Sequence, residues 1–236
     1  MKLCILDNDT LDSNLAPRFH SFGRMFIGLF EAAGADWSYA VFNTTRGEYP
    51  LSFDNFDAVL LTGSHADAFS DEPWVVELRR QVTLLLEQHK KMVGVCFGHQ
   101  LIGMCMGAPV GRAPQGWGAG RMSYDWHRTD LPYFEDANQV ALLASHQDQV
   151  LELPKGATLV ASSEFCPVAA FTVGNEVFCI QPHPEFVEDF SAYLLNKRRA
   201  ILGEEKVTAA MAGLQLGHEG TRVARLMMEF LQPHEG

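Results

Sequence analysis

Three residues whose types and spacing suit nucleophilic chemistry lie far apart in the chain. Cys96 sits inside Gly94-Val95-Cys96-Phe97-Gly98-His99-Gln100, where a short apolar run meets an apolar stretch of helical character. A thiol on such a tight strand-to-helix turn is expected to stand in a strained, exposed position, with the flanking glycines letting the chain turn without a Cβ clash. The helix that follows has a positive N-terminal end with unpaired N–H groups, which favour a thiolate and can bind an oxyanion. A cysteine nucleophile needs a base, and Gln181-Pro182-His183-Pro184-Glu185 offers a histidine whose backbone is fixed by a proline on each side. Glu185, two residues on, is suited to hold the imidazole in one tautomer and to stabilise its protonated form.

The surrounding sequence indicates how such residues are positioned. KLCIL at 2–6 reads as a buried strand that opens into the polar cluster DNDTLDSN, and FGRMFIGLFEAA at 22–33 as a helix closed by Gly34. A β-rich stretch, WSYAVFN, follows at 37–43. FDAVLLTGS at 56–64 is a central strand running into a glycine turn, and the segment 71–91 repeats apolar positions at Val75, Leu78, Val82, Leu85 and Leu86 behind Pro73. The strand at 92–95 then leads through Cys96 into a second apolar helix, so two parallel strands joined by a crossover helix are expected. From 109 to 183 the segments are short and β-like (GAGRMSYDW, VALLASH, ATLVASSE, VAAFTVG, VFCIQPH), some of them pairing antiparallel. EFVEDFSAYLLNKRRAILG and TRVARLMMEFLQ return to helix and are expected to cover a sheet face. The pattern predicts a three-layer α/β/α sandwich around a mostly parallel mixed sheet, one domain over 1–236 without a dividing linker.

Composition narrows the function classes. The 236 residues are 47% apolar and carry a formal net charge of -11, enough for a sizeable core and the wrong sign for neutralising a nucleic-acid backbone. An acidic residue arrives at Asp7 before a signal-peptide core could form, and no long apolar run follows, so a soluble cytoplasmic protein without membrane contact is expected. Five cysteines, none in a C-x-x-C pair, indicate neither a disulfide framework nor a zinc site. His99 has no second ligand pair, no Walker A or H-E-x-x-H pattern is present, and Gly116-Trp117-Gly118-Ala119-Gly120 reads as a plain loop; neither metal nor cofactor is expected. The Met104 and Met106 stripe, and Leu226 to Met228, read as core or interface packing.

The G-x-C-x-G-x-Q elbow at 94–100 and the Q-x-H-P-E segment at 181–185 resemble those of class I, triad-type, glutamine amidotransferases, which have a flavodoxin-like fold. The resemblance implies catalytic roles for Cys96, His183 and Glu185. Leu61-Thr62-Gly63-Ser64 stands where the family has its oxyanion loop, so Gly63 and Phe97 N–H groups are the implied donors, although the family often reads G-G-P there and this chain continues His65-Ala66-Asp67. Ser145-His146-Gln147-Asp148 is similar to the family's S-H-x-D segment, and with Gln100 these residues are the implied substrate contacts, Asp148 facing the substrate α-ammonium. TGSHADAFSDEPW and GWGAG are similar to a branch that includes the amidotransferase part of GMP synthase and plant γ-glutamyl peptidases.

What the resemblance implies is cleavage of the glutamine γ-amide through a Cys96 thioester, with release of ammonia and glutamate. It leaves no room for an acceptor domain, so either a synthetase partner receives the ammonia or the protein is a free-standing hydrolase of glutamine or γ-glutamyl peptides. A catalytically silent binding module is the third alternative.

Overall fold

The computed structural model describes residues 1–136 and 138–232. Its strands are β1 (Lys2–Asp7), β2 (Ser38–Asn43), β3 (Ala58–Leu61), β4 (Lys91–Val95), β5 (Val110–Arg112), β6 (Gly118–Trp126), β7 (Gln139–His146), β8 (Asp148–Val150), β9 (Thr158–Ser162), β10 (Ala170–Val173) and β11 (Val177–Ile180). Its helices are α1 (Ala16–Phe19), α2 (Phe22–Ala32), α3 (Pro73–Glu87), α4 (Phe97–Cys105), α5 (Glu188–Lys197), α6 (Arg199–Leu202), α7 (Glu204–Leu214) and α8 (Gly220–Leu231). The main sheet runs in the order β2-β1-β3-β4-β11-β10-β9-β6-β7. Strands β2 to β11 of that order are parallel, and the strands beyond β11 pair antiparallel. This is the mixed sheet expected from the sequence, with helices on both faces.

Side-chain alternation along the central strands sorts the core into two layers. Leu3, Ile5, Leu60 and Val93 point toward α2 and α8, where Phe26, Phe30, Val223 and Met227 meet them. Cys4, Leu6, Val59 and Met92 point the other way, against Val75, Leu78, Val82 and Leu85 of α3 and Leu101 and Ile102 of α4. Each of these buried side chains contributes roughly 1.5–3 kcal/mol relative to exposure. A third cluster, with Phe22, Leu143, Phe186, Phe190 and Val207, packs α5 and α7 over the antiparallel end. None of the helices among the described residues is long and apolar enough to cross a membrane.

The structure departs from the sequence expectation in several local details. The expected helix from 185 starts only at Glu188, because the chain is still extended at Val187 (φ -116°, ψ 163°), and it breaks at Arg198 before α6 resumes. Helix α7 and the small β5–β8 sheet have no counterpart in the sequence reading. Strand β8, at three residues, is too short to show a period, and α7 has only Val207 and Leu214 buried. Met104 and Met106 are half-buried rather than core, whereas Leu226 and Met227 are buried as expected.

Candidate active site

Strand β4 delivers Cys96 to the carboxyl end of the sheet, and the Cys96 N–H donates to the Ile180 carbonyl at 2.9 Å, which ties the turn to neighbouring β11. Cys96 itself carries the strain, with φ 52° and ψ -103°, a region a non-glycine residue enters only when its surroundings enforce it. Gly94 and Gly98 avoid a Cβ clash, as expected, and do so without positive φ: a Cβ on Gly98 would stand 2.5 Å from the Leu61 carbonyl oxygen, and one on Gly94 would stand 2.7 Å from that of Gly98. The first helical bond runs from the Gln100 N–H to the Cys96 carbonyl at 3.0 Å. The Phe97, Gly98 and His99 N–H groups precede that ladder at the positive end of α4.

The thiol is less open than the sequence suggested. Cys96 is only 5% exposed and belongs to the α2–α8 side of the core, yet it lines the floor of a surface cleft. The strained φ turns the side chain from the strand toward that cleft while the surrounding packing shields it.

His183 arrives from the end of β11. Its N–H donates to the Leu143 carbonyl at 2.8 Å, a single bridge to β7 that fixes the backbone between the two strands. Nδ1 lies 2.6 Å from Glu185 Oε1, so Nδ1–H donates to the carboxylate and Nε2 is the ring nitrogen that Glu185 does not engage. The ring stacks on Phe186 with centroids 3.8 Å apart and planes 11° from parallel. At the edge of the ring Gly63 is wedged in: a Cβ there would lie 2.7 Å from His183 Cε1 and 3.6 Å from Cys96 Cβ. Burial alone would depress the His183 pKa, but the Glu185 charge, with Cys96 beside it, outweighs burial and raises the value to about 10. The arrangement therefore favours a protonated imidazole ring at neutral pH.

The remaining expected residues are brought to the same cleft, with specific tasks already taken. Gln100 is buried, and its Nε2 donates to the Asp148 carbonyl at 2.8 Å and to Gln181 Oε1 at 3.0 Å. The His146 ring donates from Nδ1 to the Asp148 carbonyl at 3.1 Å. Ser145 Oγ accepts from Arg198 Nη1 at 3.0 Å. Arg112 bridges two carboxylates, 2.7 Å from Asp148 Oδ1 and 2.9 Å from Asp67 Oδ2. Desolvation, which Arg112 only partly offsets, lifts the Asp148 pKa to about 6.

Arg198 escapes the sequence reading. It sits at the break between α5 and α6, mostly buried, over the Trp117 ring at 4.9 Å, and burial lowers its pKa. The dibasic Arg198-Arg199 within the expected helix is the signal on offer, and such pairs usually lie in water. Arg198 lines the Cys96 cleft and also a second cleft, which His183 borders from the other side of Ser64 and His65. Among the described residues no group of three or more His, Cys, Asp or Glu side chains is arranged to hold a metal ion.

With this geometry in place, comparison with known proteins is direct. The family model "Glutamine amidotransferase class-I" matches residues 21–197. Gamma-glutamyl peptidase 3 of Arabidopsis thaliana is 37% identical over 197 residues, covering 80% of this chain and 78% of its own. One subunit of the glutamine-hydrolyzing GMP synthase of Methanocaldococcus jannaschii is 29% identical over 144 residues, covering 61% of this chain and 72% of its own. A glutamine amidotransferase from Thermotoga maritima has the same fold, with a TM-score of 0.79 at 18% identity over 99% of both chains. The chain belongs to the class I glutamine amidotransferase family and is an amide hydrolase of the cysteine-nucleophile type.

Proposed function

We propose that the protein hydrolyses γ-glutamyl amide bonds through a thioester on Cys96, with γ-glutamyl peptides as its main substrates and glutamine as the smallest of the series. The observation that carries this reading is the convergence of Cys96, His183 and Glu185 beyond the ends of the adjacent strands β4 and β11. The likeness to several γ-glutamyl peptidases supports peptides over glutamine alone.

In this mechanism the Cys96 thiolate attacks the γ-carbonyl carbon, and the oxyanion forms against the N–H groups of Gly63 and Phe97. The C–N bond then breaks, its electron pair stays on nitrogen, and the His183 imidazolium gives that nitrogen its proton. A water deprotonated by the now neutral His183 attacks the thioester, and glutamate leaves. Asp148 and Asp67 face the α-ammonium, with Ser145, His146 and Gln100 holding the wall behind it. Five free cysteines favour a reducing, cytoplasmic setting.

The test is Cys96→Ala and Cys96→Ser, assayed on glutamine beside a panel of γ-glutamyl peptides, with ammonia and glutamate measured separately. Both variants should lose turnover while keeping wild-type circular dichroism, and full activity in either would refute the assignment. A second reading, an ammonia producer that serves a synthetase, draws on the likeness to the GMP synthase of Methanocaldococcus jannaschii. It requires that glutamine turnover by the isolated chain be slow and rise on addition of a partner. Rapid labelling of Cys96 by a glutamine-like electrophile, blocked by substrate, distinguishes either enzyme from a silent binding module.

A further inference from the structure

The Cys96 cleft and the second cleft are joined: both are lined by Ser64, His65, Ser145 and Arg198. They divide the reacting groups between them. Cys96 lies in the first, together with the polar cluster Asp67, Arg112 and Asp148, and His183 borders the second. The acid that protonates a departing nitrogen must touch it, so whatever that nitrogen carries extends from Cys96 past His183. The second cleft is where it arrives.

The second cleft has a wall of Leu11, Leu15, Phe22, Phe186, Phe190 and Leu194. Ammonia would make no use of such a wall. Its rim is charged, and the charges pair unequally. His65 Nδ1 lies 2.7 Å from Asp9 Oδ1, and Lys197 Nζ lies 2.6 Å from Asp12 Oδ2. Hydrogen bonding to Asp9 raises the His65 pKa, which favours a charged pair there. Arg198 is the cation left over: among the described residues no carboxylate lies within ion-pair distance of it, although it is mostly buried. Asp9 and Cys96 act on it only from beyond ion-pair distance, and a shielded guanidinium with no carboxylate in direct contact favours binding one. The first cleft has a different balance, because the Asp67–Arg112–Asp148 cluster suits the ammonium and carboxylate of the γ-glutamyl head without drawing on Arg198.

We propose that the second cleft is the leaving-group subsite, and that it takes an α-amino acid with an apolar side chain, its side chain against Leu11, Leu15 and Leu194 and its carboxylate on Arg198. The substrate class is therefore γ-glutamyl dipeptides with a branched or aromatic second residue. The proposal rests on the Cys96 thioester reading given above and narrows it. Chemically the step is unchanged: the γ-carbon to nitrogen bond breaks, the sulfur to carbon bond has formed, and His183 passes one proton to the amino group of the departing residue.

The experiment compares kcat/KM for γ-glutamyl-leucine, γ-glutamyl-glycine, γ-glutamyl-leucinamide and glutamine on the intact chain. Leucine should exceed glycine by about 10-fold or more, the range in which apolar pockets discriminate side chains. The free acid should exceed the leucinamide by about 10-fold, as expected for a lost charged hydrogen bond. Leu11→Asp and Leu194→Gln should each bring the leucine-to-glycine ratio close to one, and Arg198→Gln should remove the preference for the free acid. The two Leu positions lie on separate elements, so misfolding of one variant leaves the other as a test. Equal rates on leucine and glycine, or a ratio unmoved in both Leu variants, would overturn the subsite while glutamine turnover upheld the thioester reading. Absence of Cys96-dependent turnover on all four compounds would overturn both.

Discussion

Glu185 governs the charge on His183. Burial disfavours the imidazolium, so removing the neighbouring carboxylate in Glu185→Gln should shift the ring toward neutrality. The His183 ring, followed by NMR, should lose its proton at lower pH in the variant than in the wild type, with kcat reduced about 10- to 100-fold. An unchanged His183 titration in Glu185→Gln would remove the carboxylate from this role. Stability follows the same shift. The folded pKa of His183 stands above its ordinary 6.5, so the extra stabilisation is fully present below about pH 6.5 and is lost as pH rises through about 10. The decline in Tm between pH 7 and 10 should therefore be shallower in His183→Gln than in the wild type. Asp148, with a pKa near 6, makes the opposite kind of demand. Below about pH 6 it takes up a proton and ceases to attract an ammonium, so KM should rise there, and Asp148→Asn should lose that pH dependence. At this scale the candidate residues Cys96, His183 and Glu185 were legible because they stand in two short fixed-spacing segments. Arg198 was not, because its burial depends on Trp117, which is distant in sequence, folding over it.

The turn that carries Cys96 is a matter of how closely α4 approaches β3. Gly98 touches the Leu61 carbonyl, so Gly98→Ala must push the helix off the strand and carry the Phe97 N–H with it. The expected cost is about 1–3 kcal/mol in urea unfolding, with kcat down about 100-fold because small misplacements of reacting groups are expensive. Wild-type activity in this variant would show that the N–H position is not critical. Strands and amphipathic helices such as β4 and α3 could be read from period and capping, as could the glycines themselves. The partner of each missing Cβ could not: that Gly98 lies against the Leu61 carbonyl depends on how α4 settles on β3. The break at Arg198 is similar, since nothing in NKRRAILG interrupts a helical pattern, and only the packing of α6 against α7 shows where the chain bends.

Across the whole molecule, the nine-stranded order places β4 beside β11, and this adjacency joins a cysteine to a histidine 87 positions later. The parallel half was expected from strand and helix alternation. The order of the antiparallel strands was not, because short β segments of similar pattern permit several pairings. The net charge of -11 acts on every approaching substrate. A γ-glutamyl dipeptide is an anion at neutral pH and glutamine is not, so kcat/KM for γ-glutamyl-leucine should rise about two- to threefold between 10 and 150 mM salt while that for glutamine stays level. A fall with salt would indicate that the cleft's own cations dominate the encounter.

The His183 ring is clamped by Phe186 on one face, by Gly63 at its edge and by Glu185 through Nδ1. A ring so held cannot swing between two stations. In the proposed cycle a single nitrogen must serve the outgoing amine and then the incoming water through one doorway, so the first product has to clear the threshold before hydrolysis begins, and an amine that lingers there delays the release of glutamate.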